Sequence, residues 1–153
     1  MCELCNGMSE QEHLESIMTS IRRQGWTVQY VEGEGDRNPS FAYTVGLSRV
    51  RHPEIIVFDC SPDHAYHGLR QLAYPIMTGM YFDEGDDLSG FYQPPDRAEL
   101  LRFPDSSTHL LTANDLYRRP GEPPLPALQL LWPDPLAFLR DRPAGPAESG
   151  HAR

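Results

Sequence analysis

The chain has 153 residues, 39% of them apolar and 10% aromatic, with a formal net charge of -9. That length folds as one domain and buries roughly two thirds of the surface its unfolded form exposes, so no disulfide staple is needed. The acidic balance argues against nucleic acid and anionic membrane as partners, because phosphate affinity rests on clustered cations, and here 13 arginines are scattered with no lysine beside them.

Met1-Cys2-Glu3-Leu4-Cys5 lacks the basic-then-apolar pattern of a secretory signal. No run approaches the ~20 apolar residues of a membrane span. A cytoplasmic location is the expectation, where Cys2, Cys5 and Cys60 serve as free thiols or metal ligands rather than as a bridge.

Ser9 followed by Glu12 has the form of a capping box, and Leu14, Ile17, Met18 and Ile21 then recur at helical spacing until Gly25. The stripe is one face wide, so this helix is expected to lie on a sheet with Glu12, Glu15, Arg22 and Arg23 toward water. Trp26 to Val31 reads as a first strand, Glu32 to Asn38 as a loop, Ser40 to Leu47 as a second strand and Glu54 to Phe58 as a third with a nearly continuous apolar core. Short turns between them predict an antiparallel meander.

Ser61 and Pro62 start a second helix, with an N-cap hydroxyl and a proline at the first helical position. Ala65, Leu69, Leu72, Ala73 and Ile76 form its apolar face, and Pro75 is expected to end or kink it near Tyr74. Gly79 to Thr112 carries only short apolar pieces around the acidic run Asp83 to Asp87, and Leu125 to Trp132 reads as a last buried strand. The expected fold is α+β, a mainly antiparallel sheet of about five strands with two helices packed on it. One domain spans residues 1–134, and the proline-rich stretch 135–153 is an expected disordered tail.

Cys2 and Cys5 have the C-x2-C spacing with which two thiolates grip one tetrahedral zinc. Two further donors are needed, and Cys60, His64 and His67 gather at the start of the second helix, where both histidines are placed opposite the apolar face and so exposed. The metal set is therefore Cys2, Cys5, His64 and His67 with zinc as the cofactor, against a reading of the thiols as a reactive terminus and of the histidines as a bare polar face. His52 and Glu54 stand at i and i+2 and could act as general base and orienting carboxylate, with Tyr43 near a substrate. A satisfied turn histidine is the plainer alternative. No G-x-S-x-G elbow and no phosphate-binding glycine loop is present.

Taken together, Cys2 and Cys5, Gly25-Trp26 before Val28-Gln29-Tyr30-Val31, Ser40 to Leu47 (Ser-Phe-Ala-Tyr-Thr-Val-Gly-Leu), His52-Pro53-Glu54 and Leu128-Gln129-Leu130 resemble the bacterial domain-of-unknown-function family 4262 over about residues 1–134. The resemblance implies a small soluble α+β domain and carries no activity or catalytic residue with it. Cys60, His64 and His67 are not part of its pattern, and Leu136-Ala137-Phe138-Leu139 replaces the aromatic finish of the family. Three functional expectations stand side by side. The first is a small-ligand or metal-binding domain using the cysteine pair and the Tyr43 to Glu54 block. The second is a small hydrolase-like or flavin-dependent enzyme with His52 as base. The third is an acidic partner-binding or immunity-type protein.

Overall fold

The computed structural model describes residues 9–35, 37–92 and 97–132. Helix α1 (Glu10–Gln24) opens on the expected capping box, with the Ser9 hydroxyl accepting the Glu12 amide and the Glu12 carboxylate accepting the Ser9 amide. It stops at Gly25, whose φ of 93° no β-carbon tolerates easily. Strands β1 (Thr27–Val31), β2 (Phe41–Val45) and β3 (Glu54–Phe58) follow as the expected antiparallel meander. A short 3-10 turn, Leu47–Val50, links β2 to β3.

Helix α2 (Pro62–Met77) is capped by the Ser61 hydroxyl, as its Ser-Pro start implies. Pro75 does not end it near Tyr74. Its ring comes two residues before the last helical position, and the Pro75 carbonyl accepts the Thr78 and Met80 amides to turn the chain back. Then come β4 (Glu99–Arg102), α3 (Ser106–His109), α4 (Leu111–Tyr117) and β5 (Ala127–Leu131).

The sheet has five strands in the order β1-β2-β3-β5-β4, and β3 and β5 run parallel. The expected mainly antiparallel sheet of about five strands is met in three of its four pairings. The fourth, β3 with β5, is parallel, because α2 carries the chain away from β3 and β5 later inserts beside it, between β3 and the antiparallel edge strand β4. The expected helix count is corrected. Four α-helices, not two, are present among the described residues, since α3 and α4 are too short to announce themselves by periodicity.

Helices cover both faces of the sheet. Ala42, Ile55, Val57, Leu100, Leu128 and Leu130 point to the α2 side, where Leu69, Leu72 and Ile76 pack. Tyr43, Val45 and Ile56 point to the other side, against Ile17 and Ile21 of α1 and Ala113 of α4. Burial on both faces explains the unbroken apolar run of β3. Gly46 holds the end of β2 close to the start of β1: its φ is 126°, and a β-carbon there would meet the Gly25 carbonyl oxygen at 2.5 Å.

Candidate functional site

Glu54 opens β3 directly beneath the turn that ends β2, and it is fully buried. Five donors converge on its two oxygens. The Thr44 hydroxyl reaches Oε1 at 2.7 Å and the Leu47 amide at 3.3 Å. The Gly46 amide, the Ser48 amide and the Ser48 hydroxyl reach Oε2 at 3.1, 3.0 and 2.7 Å. Three successive amides aimed at one carboxylate form an anion nest at the start of the 3-10 turn. Burial pushes the carboxyl above its ordinary value, and the hydroxyls of Thr44 and Ser48 with the Ser48 and Gly46 amides oppose that. Amides can only donate, so the cage is built for the ionised form.

His52 is also buried, at 2% exposure. The Phe82 amide donates to Nε2 at 2.9 Å, which requires the proton on Nδ1, and Nδ1 donates to the Pro53 carbonyl at 2.8 Å. Desolvation lowers its pKa below the usual 6.5, against opposing effects of the Pro53 carbonyl and the Asp83 charge. Tyr81 covers the ring, with centroids 4.8 Å apart. Tyr43 is buried in the α1 side of the core, where its hydroxyl accepts the Thr112 amide at 3.0 Å and burial raises its pKa.

The structure therefore gives the three residues of the Tyr43 to Glu54 block separate partners. Glu54 does not bond His52, and both imidazole nitrogens are engaged with backbone. The Thr44–Glu54–Ser48 cage went unforeseen in the sequence, since most of its donors are backbone amides that carry no residue signature.

Of the metal candidates, Cys2 and Cys5 lie outside the described residues. His67 is exposed as expected, whereas His64 is half-buried and stacked on Trp132 with centroids 4.0 Å apart and planes within 9°. The expectation of two exposed histidines is corrected by this ring pair: Trp132, arriving at the end of β5, lies along the Gly68 side of α2 and covers His64. His64 Nε2 is buried and has no hydrogen-bond partner among the described residues. Cys60 is buried, its thiol 3.6 Å from the Phe58 carbonyl. No cluster of three or more metal-ligating side chains occurs among the described residues.

Two surface features complete the picture. A shallow polar hollow of about 310 Å³ opens beside the β1–β2 loop, with Glu32, Asn38, Ser40 and Asp59 in its wall. On α2, Tyr66, Arg70 and Tyr74 follow at four-residue spacing along the outward side. Tyr66 is 39% and Tyr74 66% exposed, and the Arg70 guanidinium lies over the Tyr74 ring at 5.9 Å. Met80 and Tyr81, which follow the helix, are 48% and 60% exposed. The four-residue spacing of Tyr66, Arg70 and Tyr74 is the sequence signal for this surface.

No helix among the described residues is long and apolar enough to cross a membrane. No curated protein and no solved structure matches the chain. A family model, a domain of unknown function (DUF4262), matches residues 20–138, so the chain belongs to the DUF4262 family.

Proposed function

We propose that this domain binds a protein partner, and that its contact surface is the outward side of α2 with the Met80–Tyr81 segment. The observation that carries the reading is the exposure of Tyr66, Arg70 and Tyr74 along α2 and of Met80 and Tyr81 just after it. Tyrosine, methionine and arginine are the residues that protein interfaces gather. The geometry gives less to an enzyme built on His52, because neither ring nitrogen retains a lone pair for a substrate proton in the fold as it stands.

Site-specific photo-crosslinking tests this. A benzophenone side chain at Tyr74 is expected to yield a discrete crosslinked protein in cells, while the same group at the exposed Leu111 of α4, on the opposite face of the sheet, yields none. Equal or absent crosslinking at the two positions would overturn the reading.

One observation favours a second reading, zinc held by Cys2, Cys5, His64 and His67: the buried, unpartnered Nε2 of His64 has the lone pair that a metal would take. Thiolates would neutralise the ion and imidazoles complete the tetrahedron. Zinc below about a tenth of an equivalent in purified protein, or an unchanged metal content in His64→Ala, would remove it.

A further inference from the structure

We infer that the partner is a second copy of this chain, docked with α2 antiparallel to α2 across a twofold axis beside Tyr66 and His67, so that Arg70 of each copy meets Asp63 of the other. This rests on the reading of α2 as the contact surface.

Asp63 and Arg70 lie seven residues apart, which is about 10.5 Å along a helix and about 20° around it. They therefore share the outward side of α2 with Tyr66 and Tyr74, all four within about 80° around the helix. A twofold axis midway between the two charges superposes acid on base at both ends of the contact, because an isologous interface pairs residue i with j and j with i. Neither Asp63 nor Arg70 is ion-paired among the described residues, and Arg70 is already held over Tyr74 rather than swinging free.

Charge selects this occupant over a basic protein. The whole chain carries -9, and its densest acids, Asp83, Glu84, Asp86 and Asp87, follow Tyr81 rather than lying on α2. A cationic partner would be drawn to those acids. The outward residues Asp63, Tyr66, His67, Arg70, Gln71 and Tyr74 instead sum to zero with histidine neutral, so two strongly acidic copies can approach through them with the least repulsion. Stable specific interfaces bury about 1,200–2,000 Å² in total. Antiparallel copies with Tyr66 and His67 at the axis overlap helix on helix only over residues 62–71, a small contact beside that range, so the dimer is a weak one that dissociates on dilution.

Sedimentation velocity on the full chain tests the inference, with circular dichroism to confirm folding. Wild type is expected to shift from monomer to dimer as concentration rises through the micromolar range. Asp63→Arg and Arg70→Asp are each expected to stay monomeric, since each puts like charges face to face. An equimolar mixture of the two variants is expected to dimerise again, one copy bearing two arginines and the other two aspartates, and the double variant is expected to self-associate like wild type. A monomeric wild type, or dimerisation indifferent to these exchanges, overturns the second-copy assignment. If Tyr74 then still crosslinks to a different protein, the contact surface stands and only its occupant changes. If it crosslinks to nothing, both readings fall together.

Discussion

Thr44 donates its hydroxyl to Glu54 at 2.7 Å and accepts the Ile55 amide at 2.9 Å, so one side chain ties the buried carboxylate of β3 to the end of β2. The charge lies among dipoles rather than beside a cation. Its partners are the turn that immediately precedes it, which makes Glu54 the template on which residues 46–48 fold. Such a network is fully satisfied or badly compromised, with little between.

Glu54→Gln tests this directly. The new amide group must point one N–H pair at backbone amides that can only donate, leaving donors facing donors in a dry site. A stability loss of about 2–4 kcal/mol is expected, read as a lower urea midpoint. A midpoint unchanged from wild type would mean that the cage holds a neutral carboxyl.

His52 sets a pH dependence. Its folded pKa lies below the ordinary 6.5 because burial disfavours the imidazolium. The unfolded chain therefore binds the proton first. The stability contribution is present in full above 6.5 and is lost as pH falls through 6.5 toward the lowered folded value. Urea midpoints measured from pH 8 downward should fall more steeply through this window for wild type than for His52→Gln, which cannot titrate. Parallel curves would contradict the assignment.

Tyr43→Phe removes the acceptor of the Thr112 amide, the bond that ties β2 to the first turn of α4. The ring still fills the core, so the expected loss is about 1–2 kcal/mol. Hydrogen exchange at Thr112 should accelerate beyond the change at β1 amides, whereas uniform acceleration would point to global destabilisation instead. Because Tyr43 does not reach the surface of α2, the Tyr74 crosslink should persist in this variant.

Much of the fold was legible because its signals are local. Ser9 and Glu12 announce a helix start within four residues, and the β2–β3 meander is written in adjacent apolar runs joined by short turns. The parallel β3–β5 pair is different in kind: Glu54 and Ala127 come together across 73 positions, and nothing in either strand encodes its neighbour. The same distance effect hid the site. Residues 43, 52 and 54 stand out in the sequence as polar groups in an apolar block, but most of their partners are backbone groups, such as the Phe82 amide, 30 residues from His52. Backbone partners leave no residue type to recognise, so the side chains alone do not show how they are held.

Gly68 provides a last test, of how Trp132 is held against α2. Gly68 lies on the buried side of the helix, and a β-carbon there would overlap the Trp132 ring. The same ring stacks on His64 and meets Tyr92, whose hydroxyl donates to the Gly68 carbonyl at 2.7 Å. In a helix interior, alanine ordinarily stabilises by about 0.5–1 kcal/mol relative to glycine. Here Gly68→Ala is expected to destabilise instead, by about 1–3 kcal/mol, because overpacking outweighs that gain. With Trp26 replaced by Phe, the remaining tryptophan emission should shift to the red as the Trp132 ring is displaced toward water. A variant that gains stability and keeps its emission would show that the ring does not lie against Gly68.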